Sequence, residues 1–432
     1  MAVHYQIEGT TSAAISASVE AGIRRGALAP GAALPPVRTL AGEVGVSPAT
    51  VAAAYRLLRE RGLVETAGRN GTRVRGRPPV AARRQTLRPE VGHLVDLSSG
   101  EPDPDLLPRI PAGTPQRRNY LREGVLPELR EAARERLRPV DGRHLTVASG
   151  ALDGIERVLA AHLRPGDRIA VEDPGWANLL DLVAVLGLHP VPVPVDDDGP
   201  TVDGLARALS AGAAGLVVTS RAQNPTGATV TAGRARGLRG VLKTFPRVLV
   251  VEDDHAAELA DEPLHPLVGA TESWAFVRSC SKPFGPDLRL AVLAGDETTV
   301  ARVEGRMRLG AGWVSTILQT LVVRMWSDPA VSAAVSKASR SYGHRRRALV
   351  EELTARGIPA RGRSGVNVWV PVADETVAVT RLRDAGFAVA PGGMYRIATP
   401  PAVRISVGAL RPPMVGPLVD ALAASNRVSA GV

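Results

Sequence analysis

Past His93 the chain alternates short runs of apolar, β-branched residues with helical segments, among them Arg168-Ile-Ala-Val, Gly215-Leu-Val-Val-Thr and Arg247-Val-Leu-Val-Val. Strands separated by helices come back in the same direction through a crossover, so this pattern demands an α/β fold with a largely parallel sheet covered by helices. In such sheets ligands collect beyond the carboxyl ends of the strands. At about 100–200 residues per domain, 432 residues leave room for a second unit besides this one. No apolar run approaches the roughly 20 residues of a membrane span. The start, Met1-Ala-Val-His-Tyr-Gln-Ile-Glu, lacks the basic stretch and long apolar core of a secretory signal, and Cys280 is the only cysteine. A cytoplasmic protein without disulfides or a membrane partner is expected.

The net charge of +10 is unevenly placed. Through Arg88 there are 13 Arg and 5 Glu, whereas the remainder is nearly neutral. Basic charge gathered at one end suits either a module that neutralises phosphates or an Arg-rich solvated face. Thr11 to Arg25 reads as a helix with Ile15, Val19 and Ile23 on one side, stopped by Gly26 and Pro30-Gly31. Pro36 to Val44 is a second helix ending at Gly45, and Ser47-Pro48 caps a third that runs to Arg61. Gly62 to Arg75 then reads as two short strands around an Ala-Gly-Arg-Asn-Gly turn. Helix, helix-turn-helix and hairpin describe a winged helix-turn-helix, residues 1–76, whose third helix would enter the major groove. A basic, proline-containing linker follows over 77–93.

This head resembles the GntR-type DNA-binding domain at Gly31, Leu34-Pro35, Arg38, Leu40-Ala41, Val44-Gly45-Val46-Ser47, Thr50-Val51, Ala54-Tyr55, Leu58, Gly62-Leu63 and Gly71-Thr72. Pro36 and Pro48 stand where relatives usually carry Ser and often Arg, so two polar contacts to DNA are missing. Double-stranded operator DNA is the partner the resemblance implies, with Arg38, Ser47, Thr50, Arg56, Arg69 and Arg73 as the candidate contacts.

Lysine usage points to chemistry in the larger part. Only Lys243, Lys282 and Lys337 occur beside 50 arginines. Arginine cannot form a Schiff base, so a lysine in ligand-like surroundings becomes a candidate for amine chemistry. Lys243 and Lys337 lie in polar helical stretches. Lys282 follows Ser279 and Ser281 and precedes Arg289, and hydroxyls with a guanidinium suit a phosphate. A lysine beside a phosphate site suggests pyridoxal 5'-phosphate (PLP) held as an imine. Cys280, in the same stretch, reads as a small buried filler rather than a reactive thiol.

The lysine segment resembles that of fold-type I aminotransferases, and other stretches match the same family in order. Ser149-Gly150-Ala151 opens a helix whose N–H groups suit the cofactor phosphate. The aromatic residue of Glu172-Asp-Pro-Gly-Trp176 would stack on the pyridine ring, and Asn224 of Asn-Pro-Thr-Gly227 would hydrogen-bond its 3-hydroxyl. Val250-Val-Glu-Asp-Asp-His255 closes a strand, and period-2 alternation sets Asp253 and His255 on one face, which favours Asp253 for the pyridine nitrogen. His255 stands where relatives commonly have a Tyr that donates to the 3-hydroxyl. An N-capping Asp pair with a surface His is the plainer alternative. Arg404, alone on the apolar strand Ala402 to Val407, needs an anionic partner, and in the family this Arg clamps the substrate or effector carboxylate. Tyr120 matches a residue that reaches the phosphate of the neighbouring subunit's cofactor, unless it is only a packed core aromatic.

The implied architecture is an N-terminal winged helix-turn-helix followed by a fold-type I aminotransferase-like domain over 94–432, with a mostly parallel central sheet and a smaller C-terminal α+β part from about 330. This arrangement resembles the MocR-type transcriptional regulators. It implies a homodimer in which the PLP domain senses the cofactor or an amine or amino-acid effector through an aldimine. The same residues would serve a turnover enzyme, an aminotransferase or racemase with a vestigial head. Fold alone does not separate these readings. A degenerate PLP pocket is a third, suggested by His255 and by Asp287 in place of the more usual Gly. No metal site is expected.

Overall fold

The computed structural model describes residues 5–24, 27–29, 31–60, 63–66, 71–74, 91–111 and 124–429. The chain divides into two compact units, one made of residues 1–81 with 164–167 and 183–189, and one comprising the remainder.

In the first unit, α1 (Ser12–Arg24) and α3 (Pro48–Glu60) pack across a core that also takes in α2 (Val37–Val44). Ile15, Val19, Leu40, Val51, Ala54 and Leu58 are buried there. Each Ile, Val or Leu among them contributes about 1.5–3 kcal/mol on burial. Gly45 adopts the left-handed conformation (φ 69°) that ends α2, its N–H bonded to the Ala41 carbonyl. Ser47 then caps α3 by accepting the Thr50 N–H at 3.2 Å. The hairpin pairs β1 (Val64–Thr66) with β2 (Thr72–Val74) antiparallel, Val64 opposite Val74. The backbone of Gly31 to Leu34 bonds along β2 as well, Leu34 N–H to the Thr72 carbonyl at 2.8 Å and Val74 N–H to Ala32 at 2.8 Å. The wing therefore has a third strand-like edge where the sequence suggested only a helix stop.

The larger unit holds two sheets. The first contains β4 (Leu145–Ala148), β5 (Arg168–Asp173), β6 (His189–Asp196), β7 (Gly199–Pro200), β8 (Ala213–Thr219), β9 (Leu249–Asp254), β10 (Trp274–Ser279) and β11 (Ala291–Gly295) in the order β4-β11-β10-β9-β8-β5-β6-β7. Strands β5, β8, β9 and β10 pair parallel. Strand β11 is antiparallel to both β10 and β4, so β4 again runs with β10. Five strands thus end on one edge. Strands β9 and β10 are buried along their whole length, as expected of a sheet covered on both faces.

The second sheet has the order β12-β14-β13-β3, where β12 is Asn367–Pro371, β13 Phe387–Pro391, β14 Ala402–Ser406 and β3 Val95–Leu97. Strand β3 pairs parallel with β13, Val95 opposite Phe387. The smaller part therefore draws one strand from just after the linker, which brings Ser98 and Gly100 toward the carboxyl edge of the large sheet. Among the described residues no helix is long and apolar enough to cross a membrane.

Candidate cofactor site

The carboxyl edge of the large sheet opens into a cavity of about 300 Å³ whose walls include Trp176, Asn224, His255, Lys282, Arg289 and Arg404. They are gathered from separate parts of the chain. Trp176 follows β5, Asn224 lies five residues beyond β8, His255 follows β9, and Lys282 sits in the turn of helix Ser281–Phe284 after β10. Arg404 comes from the middle of β14 in the second sheet. Ala151, Ser279 and Ser281 also line the cavity. Lys243 and Lys337 are exposed on helices away from it.

Lys282 Nζ donates to the Gly100 carbonyl. Arg404 is held by neutral oxygens, Nη1 donating to Asn224 Oδ1 at 3.1 Å and Nη2 to the Ser98 carbonyl, and its guanidinium lies 4.9 Å from the centre of the Tyr395 ring. Sequence reasoning anticipated an anion opposite this strand arginine and missed Ser98 and Gly100. Both act through backbone carbonyls, which no residue type advertises.

At the phosphate end, Arg289 Nη2 donates to the Ser149 carbonyl at 3.2 Å, and Nη1 lies 3.5 Å from Ser281 Oγ. Gly150, at φ 109°, leaves this approach open: a Cβ there would stand 2.5 Å from Arg289 Nη2. Helix Ala151–His162 begins at this point, directing backbone N–H groups toward the same corner. The Ser149 N–H donates to Asp153 Oδ2 at 2.9 Å, so a phosphate would compete for it with a carboxylate that Arg157 also holds.

The two aspartates of β9 have different fates. Asp254 receives Arg221 through two bonds and Arg278 at 2.8 Å. Burial alone would raise its carboxyl, but Arg278 and Arg221 outweigh it and hold the group below the usual range. Asp253 is 2% exposed and its Oδ2 lies 3.1 Å from His255 Nδ1, while Oδ1 is buried without a hydrogen-bond partner among the described residues. An orphaned buried carboxylate oxygen calls for a donor from outside the chain. The protonated nitrogen of a pyridine ring is such a donor, and Trp176, whose ring lies 6.5 Å from that of His255 at an interplanar angle of 24°, offers a stacking face. The donor set therefore fits PLP.

In the head, Arg38 and Arg56 are exposed. The Ser47 and Thr50 hydroxyls bond each other at 2.9 Å on the exposed start of α3. Arg73 Nη1 donates to the Gly31 carbonyl at 3.0 Å, which ties this guanidinium to the wing's third edge. Arg69 and Tyr120 lie outside the described residues, as does most of the linker. Cys280 is fully buried and its thiol is pushed far up by burial, which leaves it inert.

Two buried glutamates shape the pH response. Burial pushes the Glu172 carboxyl up to about 7 and the Glu252 carboxyl up to about 8, in each case against hydrogen bonds that favour ionisation. Both groups bind a proton more tightly folded than unfolded. Their contribution to stability is thus fully present below about pH 4.5 and is lost as pH rises to about 7 for Glu172 and about 8 for Glu252, at up to about 1.4 kcal/mol per pH unit for each group. Glu252→Gln is expected to flatten the fall in urea midpoint between pH 5.5 and 8.5; an unchanged slope would show that this carboxyl does not titrate there.

Comparison with known proteins agrees with both units. The family of class I and II aminotransferases matches residues 92–422, and the gntR family of bacterial regulatory proteins matches residues 11–74. The vitamin B6 salvage pathway transcriptional repressor PtsJ of Salmonella typhimurium is 39% identical over 419 residues, covering 94% of this chain and 96% of that protein. The pyridoxine biosynthesis transcriptional regulator PdxR of Corynebacterium glutamicum is 28% identical over 358 residues, covering 77% and 76%. Among solved structures, the α-aminoadipate aminotransferase LysN of Thermus thermophilus, in complex with N-(5'-phosphopyridoxyl)-L-leucine, superposes with a TM-score of 0.68 at 18% identity over 81% of this chain and 96% of that one. Fold and site define a PLP-binding, DNA-binding transcriptional regulator. The chain belongs to the MocR-type regulators, in which a GntR head is joined to a class I and II aminotransferase domain.

Proposed function

We propose that this regulator reads the supply of PLP, or of an amine or amino acid that reacts with it, and converts the reading into a change in DNA affinity. The observation that carries the proposal is a cavity lined by Lys282 and His255, with the orphaned carboxylate of Asp253 against His255, in a chain that also bears a GntR head. The similarity to a repressor of vitamin B6 salvage supports a B6 vitamer as the signal.

In this reading Lys282 bonds the cofactor and Asp253 pairs with the ring nitrogen. Asn224 and His255 address the ring hydroxyl, and Trp176 covers one face. Ser149, Gly150, Ala151, Ser279, Ser281 and Arg289 surround the phosphate. Arg404 receives the effector carboxylate through its guanidinium. Bound PLP supplies an electrophilic carbon that amines compete for. The working unit is a cytoplasmic homodimer, so that two heads meet two half-sites, with Tyr120 reaching the neighbouring subunit's phosphate. Residues 1–76 read DNA, 77–93 link, and 94–432 sense.

DNA contact is tested by salt. Removing exposed Arg38 or Arg56 should weaken binding on every sequence and lower the salt slope by roughly one per lost phosphate contact, whereas substitution of Thr50 should change sequence preference. Equal operator binding by Arg38→Ala, Arg56→Ala and wild type at all salt concentrations would remove these arginines from the interface.

A further inference from the structure

We propose that Glu172 is a positioning residue for the cofactor ring, locking the turn that carries Trp176 to the turn that carries Asn224. Glu172 is the penultimate residue of β5 and is 2% exposed. Its Oε1 accepts the Thr219 N–H at 3.1 Å, and Oε2 accepts the Thr219 hydroxyl at 2.9 Å and Gln223 Nε2 at 3.2 Å. Gln223, fully buried, carries the connection further. Its Nε2 also donates to the Pro174 carbonyl at 2.8 Å, two residues before Trp176. Its Oε1 accepts from Thr226 N at 3.0 Å and from the Thr226 hydroxyl at 2.6 Å, which closes the turn around Asn224.

Through this one carboxyl and one amide, the ends of β5 and β8 are joined directly above their last ladder pairs. Thr219 also pairs in register with Asp253 on β9, so the group that holds Thr219 borders all three ring contacts. A carboxylate is the side chain this position calls for, because every partner in reach donates. An apolar residue there would strand the Thr219 N–H and the Gln223 amide in a dry interior. Burial, with a smaller push from Asp253, raises the carboxyl pKa, and the three donors offset part of that cost.

The inference rests on the ring lying between Trp176 and Asn224, as proposed above. The test uses the full chain with PLP. Cofactor affinity is measured by equilibrium titration at pH 8.5, and the visible circular dichroism of the bound cofactor reports how the ring is gripped. Glu172→Gln sets an amide N–H₂ against the Gln223 amide. It is expected to weaken PLP binding roughly 10- to 100-fold and to reduce the induced dichroism, with the cofactor-free protein still folded. Urea midpoints of the cofactor-free variants are compared alongside, and a loss of dichroism with an unchanged midpoint marks positioning, which general destabilisation would not produce. If Glu172→Gln does not fold, Thr219→Val removes only the hydroxyl arm and should lower dichroism in the same direction. Trp176→Ala and Asn224→Ala are run alongside. If both lower the dichroism while the folded Glu172 and Thr219 variants match wild type, the role of Glu172 is refuted. If Trp176→Ala and Asn224→Ala leave it unchanged too, the ring placement falls and this inference with it.

Discussion

Lys282→Ala abolishes the visible absorbance of the PLP-bound protein and prevents borohydride from fixing cofactor to the chain. Wild type should yield one adduct, on Lys282. The lysines at 243 and 337 are exposed on helices and cannot substitute. The proposed phosphate partners Ser281 and Arg289 and the Asp253 Oδ1 acceptor remain, so some PLP binding should persist without the covalent band. The effect is all or none because arginine, the other abundant cation here, forms no imine. A variant that kept the full band would place the bond on another lysine.

The second large effect concerns Arg404. Its guanidinium is buried, 3% exposed for the residue, and steadied by Asn224, Ser98 and the Tyr395 ring. Removing one member of a buried charge pair typically costs about 3–5 kcal/mol, which corresponds to a loss of two to four powers of ten in affinity. Arg404→Ala is therefore expected to erase the response to any carboxylate-bearing effector. It should loosen PLP itself only mildly, through the lost restraint on Asn224. An effector amino acid that acts equally on Arg404→Ala and wild type, compared by titrating DNA affinity, would move the carboxylate site elsewhere.

How much of this was legible beforehand follows from which interactions leave a mark in residue order. The parallel sheet was, because strands buried on both faces must be written as apolar runs such as Leu249 to Val251. Alternation set Asp253 and Asp254 on opposite faces of the strand, and their partners differ accordingly, Arg221 and Arg278 at Asp254 and His255 at Asp253. The cap at Ser47 and the stop at Gly45 were legible for the same cause, since each backbone conformation has a preferred residue. What escaped is carried by the main chain or by long-range polar pairs. The wing's third edge at Gly31 to Leu34 has no side-chain period, and β3 is only three residues long. The carbonyls of Ser98 and Gly100 reach Arg404 and Lys282 from more than 180 residues away in sequence. Glu172 was read as part of a motif, and its bond to Gln223 appears only once β5 and β8 are neighbours.

The central claim is that one chain couples a PLP site to DNA binding, and such coupling must be reciprocal, because a ligand shifts an equilibrium only by its differential affinity for the two states. The most direct measurement titrates PLP, then candidate amines, into the full-length protein on its own upstream DNA at fixed salt, with Lys282→Ala as the reference. The account predicts a change in DNA affinity of about 5- to 150-fold for wild type, a matching change in PLP affinity when DNA is added, and no effector response in Lys282→Ala. PLP bound through Lys282 with no effect on DNA affinity, together with turnover of amino acids at about 1–1,000 per second, would contradict it and make the protein an enzyme.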